Sequence, residues 1–207
     1  PPPPPFFLMI PRPARSTQGV SSSASDVYKR QVIVAKQLLG KKLTRRIGMK
    51  DISGIITETE AYRGNDDPAS HAAVKMTKRN KLMFGRVGVS YVYFTYGMHF
   101  MFNIVAKSKK QGAGAVLIRG LHPEDGVNDM KKNRQIKDVK KLTDGPGKLT
   151  QALGITMKQY GEDLTKKPGL FISDGIKIKK TIQKSRIGIS KGLDKYWNFS
   201  FDVKNHF

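Results

Sequence analysis

Residues 57–73, TETEAYRGNDDPASHAA, bring together within seventeen positions the side chains that acid–base chemistry uses. The carboxylates of Glu58 and Glu60 could accept a proton, and the phenol of Tyr62 could donate a hydrogen bond. Because side chains alternate along a strand, a strand here would place these three side chains on one face. Two glutamates on an interior face are costly without partners, whereas on a solvent face they are ordinary. The residues alone leave both interpretations open.

The flanks of this stretch carry further signals. A strand would put Ile56 on the same face as the glutamates. Asp67 before Pro68 predicts a helix N-cap with proline in the first turn. His71 would then lie near the start of that helix, where a structural role and a catalytic one are both open.

A second group of candidate residues lies in YVYFTYGMHFMFN, residues 91–103. The pattern predicts two strands around a Tyr-Gly turn, with Tyr91 and Tyr93 on one face. Packing in a core would account for most of these aromatic residues. It accounts least well for Tyr96 and Met98, which the turn would expose, and these two are therefore candidate contacts with a partner.

The composition restricts the partners and the chemistry. Of 207 residues, 38 are Lys or Arg and 16 are Asp or Glu, which gives a formal net charge of +22. Such an excess favours a polyanionic partner, either nucleic acid or an anionic membrane surface. The chain has no cysteine, so disulfides, thiolate nucleophiles and Cys-type metal sites are excluded. Its four histidines are too scattered to predict a metal site, and no run of eighteen apolar residues could span a bilayer.

Residues 1–31 differ in composition from the rest of the chain. They hold seven of the eleven prolines, are rich in serine and lack hydrophobic periodicity. The segment resembles translated adapter sequence; a natural disordered arm is the alternative. Removing it takes away four basic residues and one acidic residue, which leaves a net charge of +19 on residues 32–207.

Residues 32–207 predict one α+β domain with a mainly antiparallel sheet. Alternation predicts strands at KLTRRI, SGIITETEAY, GAVLIRGL, SRIGIS and YWNFSFDV, besides the two around the Tyr-Gly turn. Helices are predicted at VIVAKQLLG, PEDGVNDMKKNRQ and GKLTQALGI.

Several of these blocks also occur together, in this order, in a known family. The blocks are ETEAY, DPASHA, TKRNKLMF, YVYFTYGMHFMFN, VLIRGLHP, DGPGKLTQALGI and RIGIS. From about residue 32 to the C-terminus the chain closely resembles the alkyladenine (3-methyladenine) DNA glycosylase family. The resemblance implies a single domain with a curved, mainly antiparallel sheet, flanking helices and a protruding β-hairpin. It also implies a monofunctional, monomeric, cytoplasmic bacterial enzyme without cofactor or metal, acting on double-stranded DNA that contains damaged purines.

The resemblance also implies catalytic roles for three residues. Glu60 would be the general base that deprotonates the attacking water. Arg119 would help to hold that water and keep Glu60 ionised, and the backbone of Ile187 would provide a third contact with the water. Glu58 receives no role from the resemblance and is interpreted as structural.

By the same resemblance, the flipped base would lie between Tyr62 and His71 on one side and Tyr93 on the other. Asn103 would form the pocket floor and crowd the 2-amino group of guanine.

At the DNA surface, Tyr96, with Met98 beside it, would fill the gap that the flipped nucleotide leaves. Gly147 and Lys148, in the GPGK turn, could hold a phosphate at a helix N-terminus, or could form an ordinary turn.

Three alternatives remain open from the sequence. A lysine could act as a Schiff-base nucleophile, although nothing distinguishes one lysine from the others. The chain could be a basic nucleic-acid-binding protein without catalysis, or an RNA-binding protein of the translation machinery. Neither binding protein needs the combination of residues listed here: Glu60, Tyr62, His71, Tyr93, Asn103 and Arg119.

Overall fold

A computed structural model describes residues 30–108, 112–167 and 169–207 of the chain. The helices and strands, in chain order, are α1 (Arg30–Leu38), β1 (Lys42–Ile47), β2 (Lys50–Tyr62), β3 (Ser90–Thr95), β4 (His99–Val105), β5 (Ala115–Pro123), α2 (Val127–Arg134), α3 (Pro146–Leu153), β6 (Leu170–Ser173), β7 (Ile182–Lys184) and β8 (Asn198–Ser200). Short 3-10 helices lie at Lys81–Phe84, Val139–Lys141, Met157–Gln159 and Val203–Asn205.

The strands form one antiparallel sheet in the order β3-β4-β5-β2-β1-β6. Strand β2 is its centre. One edge of β2 pairs with β5 along most of its length, and the other edge pairs first with β1 and then with β8. The predicted α+β class, with a curved antiparallel sheet and flanking helices, is confirmed.

The start of α1 bears on the predicted tail. Most of that segment, residues 1–29, lies outside the described residues. Residues 30 and 31 belong to the first turn of α1, and Gln31 is buried, with its side-chain amide donating to the carbonyl of Ala113 at 3.3 Å. Helix α1 therefore begins at Arg30, two residues before the domain start that was predicted at residue 32.

A β-bulge interrupts the alternation that was predicted for β2. The register between β2 and β5 shifts on both sides of Glu58. As a result Ile55 and Ile56 both pack in the main hydrophobic core, together with Ala61. The prediction that Ile56 shares a face with the glutamates is therefore wrong, because a bulge reverses the side-chain direction beyond it.

Two hydrophobic clusters support the sheet. The larger lies between the sheet and the three helices, and it includes Leu38, Ile118 and Leu149. The smaller is built around Met83, Tyr91 and other buried residues of the 3-10 segment and strands β3 to β5. The half-buried rings of Tyr62 and Tyr93 pack against this second cluster, which therefore supports these two residues of the candidate site from below.

Two local predictions are wrong. No helix follows Asp67; residues 63–80 form turns, in which the Asp67 carboxylate accepts hydrogen bonds from the backbone amides of Arg63 and Ala69. The residues SRIGIS are not a strand, since β7 ends before them and Gly188 has a φ of 75°. Both segments use their polar groups for long-range contacts instead of a regular ladder or helix.

Within the described ranges, none of the helices combines the length and the apolar character that crossing a bilayer requires.

Candidate active site

A cavity of about 320 Å³ opens on the face of the sheet formed by β3, β4 and β5. Its volume is in the range of small-molecule sites. Seven of the predicted site residues line it: Tyr62, His71, Tyr93, Tyr96, Asn103, Arg119 and Ile187. The fold thus assembles side chains from β2, β3, β4, β5, the β3–β4 turn and two loops around one cavity.

Glu60 lies directly behind this wall and is fully buried. Its Oε1 accepts hydrogen bonds from the backbone amide of Ile187 at 2.7 Å and from Nδ2 of Asn198 at 3.0 Å. Its Oε2 accepts from the hydroxyl of Tyr62 at 2.9 Å and from Nη1 of Arg119 at 3.4 Å. The interpretation of Glu60 as part of a solvated face is therefore wrong.

These contacts suit an ionised carboxylate, which can only accept hydrogen bonds. Three of the four donors, on Tyr62, Arg119 and Ile187, also line the cavity. Consequently the groups that separate the cavity from Glu60 are the same groups that hydrogen-bond to its carboxylate.

Tyr62 contributes a neutral phenol to this arrangement. Burial raises the pKa of Tyr62 well above its usual range, and the charge and hydrogen bond of Glu60 raise it further. The hydroxyl therefore remains a donor at physiological pH.

Glu58 is linked to Glu60 through shared partners. Nδ2 of Asn198 donates to Oε1 of Glu58 at 2.7 Å as well as to Glu60. Nε of Arg119 lies 3.4 Å from Glu58, and Nζ of Lys184 lies 3.6 Å away. Glu58 thus helps to hold Asn198 and Arg119, two of the residues that donate hydrogen bonds to Glu60.

Asn198 was not among the residues that the sequence predicted for the site. Its only signal is a polar side chain between two aromatic residues, Trp197 and Phe199, in a predicted strand. Pairing of β8 with β2 places it directly opposite Glu60.

His71 lies against two tyrosines. Its Nδ1 is 3.0 Å from the hydroxyl of Tyr91, and its ring meets that of Tyr93 edge-on with centroids 4.6 Å apart. Burial lowers the pKa of His71, and the nearby charge of Arg79 lowers it further, so the imidazole is neutral at physiological pH. Burial also raises the pKa of Tyr93 to about 12.

The close approach of His71 and Tyr93 affects how a flipped nucleobase could bind. Rings as close as those of His71 and Tyr93 leave no room for a third flat ring between them. A base between Tyr62 and His71 on one side and Tyr93 on the other therefore requires rotation of one of these side chains.

Asn103 is buried at the cavity wall. Its Nδ2 donates to the carbonyl of Tyr91 at 3.0 Å and to that of Met101 at 3.4 Å. Both bonds fix the amide plane relative to strands β3 and β4.

The turn between β3 and β4 places Tyr96 and Met98 in solvent, with exposed fractions of 80% and 68%. Tyr96 and Gly97 have φ values of 52° and 66°, the left-handed pair of a type I′ hairpin turn. A non-glycine residue in this region is uncommon and costs conformational energy. The exposed position predicted for Tyr96 and Met98 is confirmed.

The N-terminus of α3 lies beside the cavity, where Pro146 contributes to the lining. Gly147 packs closely against the ring of His99, which leaves little space for a side chain at that position. Lys148 is half-buried and pairs with Asp144 at 2.9 Å. The phosphate contact expected of Gly147 and Lys148 stays a prediction.

A sequence model of the methylpurine-DNA glycosylase family matches residues 26–205. A protein of Prosthecochloris aestuarii is 46% identical over 170 residues, which cover 80% of this chain and 80% of that protein. A protein of Carboxydothermus hydrogenoformans is 46% identical over 175 residues, covering 83% and 91%. A protein of Francisella tularensis is 44% identical over 169 residues, covering 80% and 86%. All three carry the provisional name 3-methyladenine DNA glycosylase.

Proposed function

This chain belongs to the methylpurine-DNA glycosylase family, and we propose that Glu60 activates the water that releases damaged purines from duplex DNA. The family supplies the enzyme class, a glycosylase acting on DNA. The observation that supports Glu60 as the general base is its burial behind the cavity wall, with three of its four hydrogen-bond donors lining that cavity.

Substrate capture comes first. The glycosidic bond of a stacked nucleotide is inaccessible, so the nucleotide must rotate out of the duplex before the bond can break. The cavity offers aromatic walls from Tyr62 and Tyr93 and a neutral imidazole from His71. A purine that carries a positive charge from alkylation gains a cation–π attraction of about 0.5–2 kcal/mol on such walls compared with a neutral purine.

The chemical step follows from the position of Glu60. Water attacks C1′ of the deoxyribose while the electrons of the glycosidic bond leave with the base, and the water proton passes to the Glu60 carboxylate. The negative charge of Glu60 also favours the oxocarbenium-like sugar that develops as the base departs. Arg119 and the amide of Ile187, which both reach Glu60 and the cavity, would hold the water.

Asn103 would select among purines. With its amide fixed by two backbone carbonyls, it cannot turn away from a bulky group at the cavity wall. The 2-amino group of guanine would meet it, so normal guanine is disfavoured by crowding.

The hairpin turn would keep the duplex open. Tyr96 and Met98 are exposed large side chains on a turn whose backbone geometry is fixed. An aromatic or apolar side chain inserted into the minor groove can occupy the space of the flipped nucleotide. Gly147 and Lys148, at the start of α3, would then contact a neighbouring phosphate.

The decisive experiment is incubation of the protein with duplexes that carry a single hypoxanthine, ethenoadenine or 7-methylguanine, followed by alkali cleavage. Strand scission at the lesion only after alkali treatment is the expected result. Tight binding without scission at any lesion would instead identify a non-catalytic binding protein. Borohydride should trap no covalent adduct; a trapped adduct would show that a lysine and not water is the nucleophile.

A further inference from the structure

We infer that Arg186 is a positioning residue that fixes two of the four hydrogen-bond donors around Glu60, the amide of Ile187 and the phenol of Tyr62. The inference rests on the proposed function of Glu60 as the base. It concerns a buried ion pair that has no contact with the cavity and that neither the spacing nor the composition of the sequence indicates.

The pair joins Arg186 to Asp67. Nη1 of the arginine lies 2.7 Å from Oδ2 of the aspartate, and Nη2 lies 2.8 Å from Oδ1. Both side chains are completely buried. This bidentate geometry fixes the guanidinium plane as well as its position.

The same guanidinium contacts two further segments. Nη1 donates to the carbonyl of Ala61 at 3.1 Å, at the end of β2, and Nη2 reaches the carbonyl of Gly192 at 3.4 Å. The guanidinium carbon lies 4.7 Å from the ring centroid of Tyr62 and 5.3 Å from that of Trp197. Arg186 therefore ties together the end of β2, the turns that lead to His71 and the loop between β7 and β8.

These contacts bear on Glu60 through adjacent residues. The loop between β7 and β8 has no regular structure around residue 187, so no strand ladder orients the amide of Ile187. The adjacent residue, Arg186, is held by four polar contacts and therefore restrains the position of the Ile187 amide. The ring of Tyr62, whose hydroxyl donates to Glu60, rests against the same guanidinium.

Stability alone gives a weak account of this pair. A buried ion pair often contributes little net stability, because desolvation offsets the attraction, and apolar replacements of both partners are often tolerated. Removal of one partner leaves an unpaired buried charge and is strongly destabilising. The informative variant is therefore the double replacement Arg186→Met with Asp67→Leu, which removes the pair without leaving a charge.

We expect the double variant to fold with a lowered melting temperature, because the backbone amides of Arg63 and Ala69 and the carbonyl of Ala61 lose hydrogen-bond partners. It should bind lesion DNA with a similar Kd. Its single-turnover rate of base release should fall by about 100-fold, the scale that a misplacement of about 1 Å can produce. A merely structural pair would not separate the rate from the Kd in this way. Hydrogen exchange at the Ile187 amide should also accelerate, which is a readout independent of activity.

The control is the ion pair of Arg46 with Asp51, which is also bidentate, with two contacts of 2.6 Å, but is partly exposed and lies on the β1–β2 hairpin away from the cavity. Arg46→Met with Asp51→Leu should leave the single-turnover rate and the exchange at Ile187 unchanged.

A folded double variant of Arg186 and Asp67 with wild-type rate and wild-type exchange would overturn the inference. If the double variant does not fold, Arg186→Lys decides, because it keeps the charge and loses the planar bidentate geometry. A slower rate and faster exchange in Arg186→Lys support the inference, and unchanged values overturn it. Failure of the proposed function is a separate result: the wild type would release no base, while the exchange measurement would still test the position of Ile187.

Discussion

The backbone amide of Ile187 donates a 2.7 Å hydrogen bond to the carboxylate of Glu60, although 127 positions separate the two residues. Glu60 is fixed by the central strand of the sheet, whereas Ile187 belongs to an irregular loop. The environment of the proposed base is thus built from a rigid element and from a segment that tertiary contacts must hold in place.

The first prediction concerns Glu60 as the general base. Glu60→Gln should reduce base release by a factor of about 10² to 10⁴, because the amide keeps the shape of the side chain and cannot take the proton of the water. Affinity for lesion DNA should stay within a few fold of the wild type, since Glu60 does not line the cavity. Single-turnover kinetics and fluorescence anisotropy measure the two quantities. A rate near that of the wild type would exclude Glu60 as the base.

Glu58→Gln is the matched control on the same strand. Glu58 shares Asn198 and Arg119 with Glu60, so some loss of rate is expected when its charge is removed. The loss should be far smaller than for Glu60→Gln, because Glu58 makes no hydrogen bond with Ile187 or Tyr62 among the described contacts.

The fold was largely predictable because its elements follow local patterns. Alternation located β1, β2, β5 and the β3–β4 hairpin, and the helical signals located α1, α2 and α3. The bulge near Glu58 was not predictable, because it depends on the register with β5 and leaves no local signature.

The candidate site was predictable where the resemblance named residues, and it was not where long-range polar contacts decide the structure. Asp67 looked like a helix cap, yet its carboxylate is held by Arg186, 119 positions away. Asn198 looked like one polar position in an aromatic strand, and only the pairing of β8 with β2 brings it to Glu60. No local pattern reports either contact.

The second prediction concerns pH. Burial lowers the pKa of His71 below its ordinary value of 6.5, so the ring stays neutral above pH 6.5 and gains its proton only at lower pH. The unfolded chain takes up this proton first, so the stability contributed by neutral His71 is complete above pH 6.5 and is lost as the pH falls below it. A protonated ring would also repel a cationic base. As the pH falls below 6.5 and His71 gains its proton, affinity for 7-methylguanine should therefore fall relative to affinity for neutral hypoxanthine.

That ratio of affinities is best measured in the Glu60→Gln background, where release of the damaged base is expected to be slow. His71→Gln in the same background should remove the pH dependence of the ratio. A ratio that changes equally with and without His71 would assign the effect to another group.

The third prediction concerns selectivity. Asn103→Ala should raise the rate on 7-methylguanine relative to hypoxanthine, because only the guanine lesion carries the 2-amino group that the amide crowds. The variant also removes the hydrogen bonds from the Asn103 amide to the carbonyls of Tyr91 and Met101, each of which contributes about 0.5–1.5 kcal/mol of stability. Asn133→Ala is the control, since Asn133 also donates to a backbone carbonyl, that of Ala152, and does not line the cavity. An unchanged ratio of rates in Asn103→Ala would remove Asn103 from substrate selection.

The last prediction separates the proposed wedge from the structural part of the hairpin. Tyr96 is 80% exposed, so Tyr96→Ala should barely change the melting temperature, and the alanine would keep the same left-handed backbone conformation in the turn. Phe102 on the same hairpin is fully buried, and Phe102→Ala should cost about 3–5 kcal/mol.

In catalysis, Tyr96→Ala should have a large effect, in contrast to its small effect on stability. Without Tyr96 the flipped nucleotide falls back into the duplex more readily, since restacking recovers a few kcal/mol. A lesion in a mismatch is already partly unstacked and needs less help. Tyr96→Ala should therefore slow excision strongly at a well-paired lesion and less at a mismatched one. Equal losses at both sites would show that Tyr96 does not hold the duplex open, because a wedge must matter most where the stack resists most.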